Sequence, residues 1–193
     1  EAAGDNSGSN AVSLSADGAS VAIGAHVNNG NGDASGHTRV YAWDGGSWIQ
    51  RGQDIDGEAA GDRSGSSVSL SADGSLVAIG APGNDGAGNS SGHVRVYAWN
   101  QENSNWVQHG QDIDGEATPS GTCSEMNTDN DGDGFDDECG DESGWASDLS
   151  ADGSTLSIGA WKNDGNGESS GHTRIYGWDA PSQTWIQSGN DID

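Results

Sequence analysis

The stretch DNDGDGFDD, residues 129–137, holds the densest set of metal-ligand groups in the sequence, five carboxylates within nine residues. It fits the pattern D-x-D-x-D-G-x-x-D, in which alternate carboxylates of a tight loop converge on one point and the glycine permits a sharp turn. Without a cation these carboxylates would repel one another, so we predict a Ca²⁺ site; the alternative is a solvated acidic loop that binds no ion. The predicted ligands are Asp129, Asp131, Asp133, the main-chain carbonyl of Phe135, and Asp137.

The two cysteines of the chain, Cys123 and Cys139, bracket this acidic stretch. Two cysteines around one short loop predict a local disulfide, which is typical of an oxidising, extracellular compartment. Two free thiols or a thiolate metal site are the alternatives, although no histidine lies nearby to complete such a site.

One N-x-[ST] sequon, Asn89-Ser90-Ser91, lies in a stretch rich in Gly, Asn and Asp. That composition predicts an exposed loop built of turns. We therefore predict a glycan on Asn89 if the protein is secreted by a eukaryote, bearing in mind that so short a motif also occurs by chance.

Histidine, arginine and tyrosine recur at alternate positions of one predicted strand in each third of the chain. Alternation places the three side chains on one face of that strand. We interpret them as a structural ladder, in which each arginine pairs with a carboxylate between neighbouring units; a ligand-binding stripe is the alternative. The ladder residues are His37, Arg39, Tyr41, His93, Arg95, Tyr97, His172, Arg174 and Tyr176.

Two further sets of oxygen ligands recur around the boundaries between units. One set is Asp54, Asp56, Glu58 and Asp62, with its counterparts Asp112, Asp114, Glu116 and Asp141. The other is the loops 28–33, 84–89 and 163–168. Either set could hold calcium, but the spacing matches no closed cage, and turn chemistry alone accounts for Asp, Asn and Gly at such places.

The chain of 193 residues carries a formal charge of −25, from 31 acidic and 6 basic residues. Such a surface repels nucleic-acid phosphates and anionic lipid headgroups, so neither is an expected partner. No apolar run reaches about 18 residues, so no membrane insertion is expected. We find no Ser/His/Asp arrangement with a supporting motif and no phosphate-binding glycine loop, and therefore expect that the protein is not an enzyme.

The sequence repeats itself three times along the chain. Trp43, Trp99 and Trp178 occupy equivalent positions spaced by 56 and 79 residues, and removing the 21 extra residues of one insertion reduces 79 to 58. We predict units at 1–57, 58–115 and 116–193, with the acidic insertion at 118–139 in the third. We also expect the chain to be a processed or partial segment of a longer protein.

Each unit is predicted to contain four short β-strands. In the second unit these lie around Val68 and Leu70, at 76–81, at 93–99, and from Trp106 towards Ile113. The run LVAIGA at 76–81 has few polar positions, which is typical of a strand buried on both faces. Four antiparallel strands in each of three tandem repeats predict an all-β fold of β-propeller-type blades. Closed propellers have about four to eight blades, so we expect an open arc or part of a larger assembly.

The second unit resembles the FG-GAP repeat of integrin α-subunit β-propellers. The resemblance rests on Gly61-Asp62, on the strand that ends at Gly80-Ala81-Pro82, and on the G-x-V-x-V-Y strand from Gly92 to Tyr97, and it extends to all three units. Two features differ from that family: Ser64-Gly65 stands near the place of Phe-Gly, and a short Ala-Asp-Gly turn replaces the calcium loop between the first two strands. With its flanking cysteines, the acidic insertion resembles the calcium loops of thrombospondin type 3 repeats.

These features predict a calcium-stabilised, extracellular or cell-surface structural or adhesive protein. Uncovered blade faces at the two ends of a three-blade arc would favour self-association, as a head-to-tail oligomer or fibre. The alternative is a binding module of lectin or integrin type that recognises a glycan or a protein. The two differ in their loops, because an array would keep them alike in every unit and a receptor would diversify a few.

Overall fold

The computed structural model of the chain describes residues 2–9, 11–116, 140–167 and 169–193. Within these ranges the fold is all-β, with three antiparallel sheets and no helix. No described segment is therefore a helix long and apolar enough to cross a bilayer. The predicted fold class is confirmed.

Each sheet corresponds to one sequence unit and is here called a blade. Blade 1 comprises β1 (Val12–Leu14), β2 (Ser20–Ala25), β3 (His37–Trp43), β4 (Trp48–Gln50) and β5 (Ile55–Asp56). Blade 2 comprises β6 (Ser67–Leu70), β7 (Leu76–Ala81), β8 (His93–Asn100), β9 (Asn105–Gln108) and β10 (Ile113–Asp114). Blade 3 comprises β11 (Ala146–Leu149), β12 (Thr155–Ala160), β13 (His172–Asp179) and β14 (Thr184–Gln187).

The strands of a blade follow one another as an antiparallel meander, except for a short fifth strand in blades 1 and 2. The fourth strand predicted from Trp106 towards Ile113 is in fact two elements, β9 and β10, both paired with β8. Both run in the same direction along one edge of β8, and Gly110, at a φ of +92°, lies in the break between them, where a glycine adopts the left-handed backbone without strain. In blade 3 a single bridge from Thr173 to Ile192 takes the place of the fifth strand.

Consecutive blades pack face to face, so that blade 2 is covered on both sides. Val77 and Ile79 of β7 join the apolar cluster shared with blade 1. Ala78, between them, joins the cluster shared with blade 3, as do Val94 and Val96. Because successive side chains of a strand point to opposite faces, a strand between two other blades needs apolar residues at every position. This explains the LVAIGA run.

Glycine allows the close approach of one blade to the next. A Cβ atom on Gly80 would lie less than 3.0 Å from the carbonyl oxygen of Gly144 in blade 3, nearer than real Cβ atoms come. A Cβ atom on Gly24 would be equally close to the carbonyl oxygen of Gly65 in blade 2. A Cβ atom on Gly159, their equivalent in blade 3, would meet no such obstacle, because its nearest neighbour would be in ordinary contact at 3.6 Å.

The three blades form an open arc with two uncovered faces. On the outer face of blade 1, Val12 and Leu14 are 53% and 58% exposed, whereas their equivalents Val68 and Leu70 are buried against blade 1. At the opposite end, Ile192 of blade 3 is 58% exposed, whereas its blade 2 equivalent is buried. The face of blade 1 thus carries the apolar residues of an internal junction without the second half of that junction. On blade 3 the exposed Ile192 is accompanied by Ser157, which stands where blade 2 has Ala78.

Candidate functional site

The junction between two blades contains an arginine clamp. In the blade 1–blade 2 junction, Arg95 on β8 points towards blade 1 and is 8% exposed. Its Nε and Nη2 atoms donate to the two carboxylate oxygens of Asp112 at 3.0 and 3.1 Å. Arg95 also pairs with Glu58, the residue that links blade 1 to blade 2. One guanidinium therefore connects its own blade to the connection from the previous one.

The same clamp recurs in the other blades. Arg174 donates to Asp191 through two bonds of 3.0 Å and pairs with Glu116 at the start of its unit. In blade 1, Arg39 donates to Asp54 at 2.8 and 2.7 Å. A glutamine on the fourth strand supports each aspartate, as Gln50 does for Asp54 at 2.7 Å. Paired N–H···O bonds of this kind fix both the distance and the orientation of the two side chains.

The clamps shift the pKa values of their members. The hydrogen bonds from Arg39 lower the pKa of Asp54 to about 2, with a further contribution from Gln50. The pKa of Asp191 is lowered, first by Arg174. At Asp112 burial raises the pKa, but the bonds from Arg95 outweigh burial and lower it. Arg95 itself keeps its proton more strongly than free arginine because its two carboxylate partners outweigh the cost of burial on its pKa.

Histidines of the same strands complete three groups that could hold a metal ion. The groups are His37, Asp54 and Asp56; Glu58, His93 and Asp112; and Glu116, His172 and Asp191, with ligand atoms within 4.8 Å of one another. Each group also contains the guanidinium of a clamp, which already supplies a positive charge to the carboxylates. A metal ion would have to compete with that bidentate pairing, so the geometry favours the structural ladder over a metal centre.

A pair of tryptophans forms the second part of each junction. Trp99 and Trp106 of blade 2 lie with ring centroids 5.4 Å apart. The guanidinium of Arg51 from blade 1 stacks over Trp99 at 4.5 Å, and Trp106 Nε1 donates to the Arg51 carbonyl at 2.8 Å. Sequence reasoning missed this contact, although Arg51 follows the W-x-Q motif of its fourth strand in the same way as His109 and Ser188 do in theirs.

The second junction uses the same geometry with a different residue. His109 stacks on Trp178 with centroids 3.8 Å apart, and Trp185 Nε1 donates to the His109 carbonyl at 3.0 Å. In blade 1 the equivalent pair, Trp43 and Trp48, lies on the uncovered face, with 45% and 43% of each residue exposed.

The sequence-predicted site residues fall into two groups. The nine ladder residues are all described, and six of them are buried: His37, His93, Arg95, His172, Arg174 and Tyr176. The predicted calcium ligands Asp129, Asp131, Asp133, Phe135 and Asp137, and the predicted disulfide of Cys123 and Cys139, lie outside the described residues, so those assignments stay predictions.

The predicted glycosylation site lies in the described part of the chain. Asn89 is exposed, in the loop between β7 and β8. Ser91, the third residue of the sequon, is fully buried, and its hydroxyl donates to the Asn84 carbonyl at 3.3 Å. The asparagine side chain is thus accessible in the folded chain, while the serine hydroxyl is part of the loop.

Comparison with known families agrees with this architecture. Residues 55–97, from β5 to the middle of β8, match the family model described as the FG-GAP repeat. This stretch of the chain is therefore similar to an FG-GAP repeat, in agreement with the β-propeller-type blades. The resemblance drawn from the sequence motifs is confirmed, although not for the calcium-loop insertion. No curated protein sequence matches the chain.

Solved structures with a similar fold share little sequence with this chain. Two proteins assigned as 6-phosphogluconolactonases, from Bacteroides uniformis and Bacteroides fragilis, align with TM-scores of 0.54 and 0.55 at 13% and 11% identity. These alignments cover 94% and 93% of this chain but 39% and 37% of those proteins. Saccharomyces cerevisiae Sqt1 aligns with a TM-score of 0.50 at 13% identity, over 92% of this chain and 33% of that one. The chain thus spans between about a third and two fifths of each of these proteins.

The expectation that the protein is not an enzyme is wrong as an inference from missing motifs. The two Bacteroides structures are assigned as lactonases, so blades of this fold occur in enzymes. At such low identity the likeness shows the fold alone, and the residues of a propeller active site need not follow a short linear motif because they come from several blades.

Proposed function

We propose that the chain is a structural repeat protein of the extracellular space whose blades stack head to tail with those of further copies. The observation that carries this proposal is the exposed face of blade 1. It presents Val12, Leu14, Trp43 and Trp48 at positions whose equivalents are covered by the preceding blade in blade 2. Because this face has the residues of an internal junction and is uncovered, a further blade packed against it would bury them.

The outer face of blade 3 is the complementary half of such a junction. Ser188 occupies the place of Arg51 and His109, whose carbonyls accept a hydrogen bond from the tryptophan of the next blade. In a second copy, Trp48 Nε1 would donate to the Ser188 carbonyl. Gly159 leaves room for the close approach that Gly24 and Gly80 make at the internal junctions. Two different surfaces that fit one another build rings or fibres, depending on whether the rotation closes.

Calcium is proposed to stabilise the second junction. The support is the sequence of the acidic insertion, with Asp129, Asp131 and Asp133 as leading ligands. The described residues on either side of it belong to this junction: Glu116 pairs with Arg174, and Gly140 packs against the main chain at Ser90. Binding a cation between these two points would hold the ends of the insertion together. A disulfide between the flanking cysteines and an extracellular location belong to the same proposal.

The test is to measure assembly of the wild-type chain and of two glycine variants by sedimentation velocity and negative-stain electron microscopy. Gly159→Ala places a methyl group on the docking face, and we expect it to abolish assembly while the monomer stays folded. Gly46→Ala, in an exposed hairpin where the nearest atom would be 3.7 Å away, is the matched control and should assemble like the wild type.

Two results would contradict the proposal. A wild-type chain that stays monomeric at high concentration shows that copies do not cover each other's faces. Assembly that survives Gly159→Ala and Trp48→Ser shows that another surface is used. Chelation with EGTA tests the calcium component separately, because it should fray fibres and lower the melting temperature only if the insertion binds the ion.

A further inference from the structure

A short segment precedes the first strand of each unit, and at both internal junctions the previous blade binds it. The segment has the sequence G-D-x-S-G and is here called the strap; it comprises residues 4–8, 61–65 and 140–144. At the internal junctions the strap runs parallel to the loop before the third strand of the previous blade. Two isolated parallel bridges mark this pairing, Gly36 with Ser64 and Gly92 with Ser143.

Main-chain hydrogen bonds hold the strap to that loop. Each bound strap donates two consecutive N–H groups to two consecutive carbonyls, at 3.0 to 3.1 Å: Arg63 to Ala34, Ser64 to Ser35, Glu142 to Ser90 and Ser143 to Ser91. Bonds of this kind depend on backbone geometry, which explains why the residue after the aspartate differs in every strap. Pairing of an extended segment through its main chain is also a common way for one protein chain to bind another.

Strap and loop approach one another so closely that the loop needs a glycine. A Cβ atom on Gly36 or Gly92 would lie less than 3.0 Å from the carbonyl oxygen of the strap serine. Gly171 is the equivalent residue of blade 3, and a Cβ atom there would meet nothing nearer than 3.2 Å, all of it within its own unit. The space that a strap fills at the other two loops is therefore open at this one.

This space is part of a cavity of about 420 Å³ on the outer face of blade 3, here called the slot. Its lining includes Gly159, Ser170, Gly171 and Ile192. Ser169 and Ser170 correspond to the residues whose carbonyls accept the strap at the internal junctions. Both serines are exposed, whereas their equivalents at both internal junctions are buried.

The strap of the first unit is exposed where the other two are covered. Ser7 is exposed, whereas its equivalents Ser64 and Ser143 are 7% and 6% exposed. The side chain of Asn28 donates to Asp5 at 3.0 Å, which fastens this strap to its own blade. The chain therefore has an exposed strap at one end of the arc and an open slot at the other.

Both the exposed strap and the open slot already have the backbone conformation of a formed junction. The φ angle of Ser169 is +47°, against +48° and +45° at the equivalent positions of the two loops that hold a strap. The φ angle of Asn6 is +52°, against +55° and +51° in the two bound straps. Because ordering a flexible segment is a large cost of binding, preformed partners lose less free energy when they associate.

We propose that the slot of one copy binds the strap of a second copy, residues 4–8, through parallel main-chain pairing. In this pairing Asn6 N–H donates to the Ser169 carbonyl. Ser7 N–H donates to the Ser170 carbonyl, as the equivalent groups do at both internal junctions. A strap of this chain is the fitting occupant because the slot repeats the loop that holds a G-D-x-S-G segment twice within the arc. This inference rests on the head-to-tail stacking proposed above and names the segment that is recognised.

Two single variants separate the strap from the slot. Ser7→Pro removes the N–H that pairs with the slot, and Glu102→Pro is its control because blade 3 has Pro181 at the equivalent position of an exposed turn. Gly171→Asn fills the slot, since asparagine tolerates the φ of +69° there but adds a side chain where the strap must lie. Its control is Gly45→Asn, at a φ of +98° in an exposed hairpin turn where a Cβ atom would meet nothing within 4 Å.

The test is sedimentation velocity of each variant alone and of the two mixed, after circular dichroism has established that both are folded. Ser7→Pro and Gly171→Asn should each lower the association constant by about tenfold or more, whereas the two controls should assemble like the wild type. The Ser7→Pro chain keeps its slot and the Gly171→Asn chain keeps its strap. An equimolar mixture should therefore form dimers and nothing larger, because only one intact strap and slot can meet.

The outcomes distinguish this inference from the stacking proposal. Assembly that is as strong in both variants as in the wild type overturns the slot and leaves stacking through another surface. A mixture that stays monomeric, or that forms species larger than dimers, also overturns it. If the wild type itself stays monomeric, stacking fails, and a peptide of residues 2–9 is titrated into the isotopically labelled wild-type chain. Shifts of the amide signals of residues 169–171 would then support the slot, and their absence at millimolar peptide would overturn it.

Discussion

Substitution of Gly80 by alanine tests whether the blades are locked together by backbone contact. A Cβ atom there would lie within 3.0 Å of both the Gly144 carbonyl in blade 3 and the Ser67 hydroxyl. The first of these is backbone and cannot rotate away, so blade 3 must shift from blade 2. Overpacking of this kind costs about 1–3 kcal/mol, and the loss falls on the cluster that Ala78, Val94 and Val96 share with blade 3.

Gly159→Ala is the matched control because it makes the same chemical change at the equivalent strand position. Its Cβ would find its nearest neighbour at 3.6 Å, an ordinary contact. Alanine at a compatible backbone position reduces the freedom of the unfolded chain and stabilises by about 0.4–1 kcal/mol. We therefore expect the two substitutions to change the free energy of unfolding in opposite directions.

Urea and thermal unfolding of the monomer, followed by tryptophan fluorescence, measure this difference. For a chain of this size each kcal/mol moves the melting temperature by about 2–4 °C, so Gly80→Ala should melt several degrees below Gly159→Ala. Equal melting temperatures for the two variants would refute the packing geometry of the second junction, since they would show that Gly80 and Gly159 have the same surroundings.

Two further predictions concern the arginine clamps. Replacing Arg95 by lysine keeps the charge but loses the two hydrogen bonds to Asp112. We expect urea unfolding to show a free energy of unfolding lower by about 1–2 kcal/mol; the loss is moderated because the Glu58 side chain, the second partner, is half exposed. The lowered pKa of Asp54 makes the free energy of unfolding depend on pH. The stabilisation by Asp54 is complete above its unfolded pKa of 3.8 and is lost as the pH falls towards the folded pKa of about 2. Asp54→Asn should therefore flatten the decline of melting temperature between about pH 4 and pH 2, and an unchanged decline would contradict the clamp.

Much of the blade could be predicted from the sequence because strand pairing within a blade is local. The run from Leu76 to Ala81 was predicted with its observed bounds, and the strand from His93 was predicted to within one residue. The fourth strand was predicted in its place, but its division into β9 and β10 was not, because the pattern of apolar residues does not reveal the break at Gly110, which has a positive φ. The repeat spacing predicted three blades because each repeat encodes the same meander.

The candidate sites were harder to predict from the sequence, because they join residues that are far apart in the chain. The arginine of the ladder could be recognised by its recurrence, but its partner Glu58 lies in the connection from the previous blade. Arg51 gave no periodic signal, since its equivalents are His109 and Ser188. The slot was missed for the same reason, because the strap that fills its equivalents belongs to the following unit.

By itself, the sequence determined the all-β class, the number of blades and the polar stripe on the third strand, all of which depend on spacing along one strand or one repeat. Only the tertiary structure decided which face of each sheet meets the previous blade and which meets the next. It brings Trp106 against Arg51, which is 55 residues away, and places Ser143 beside Gly92 of the previous blade. Contacts between sheets depend on how neighbouring blades are rotated and spaced, and no pattern within a single repeat contains that information.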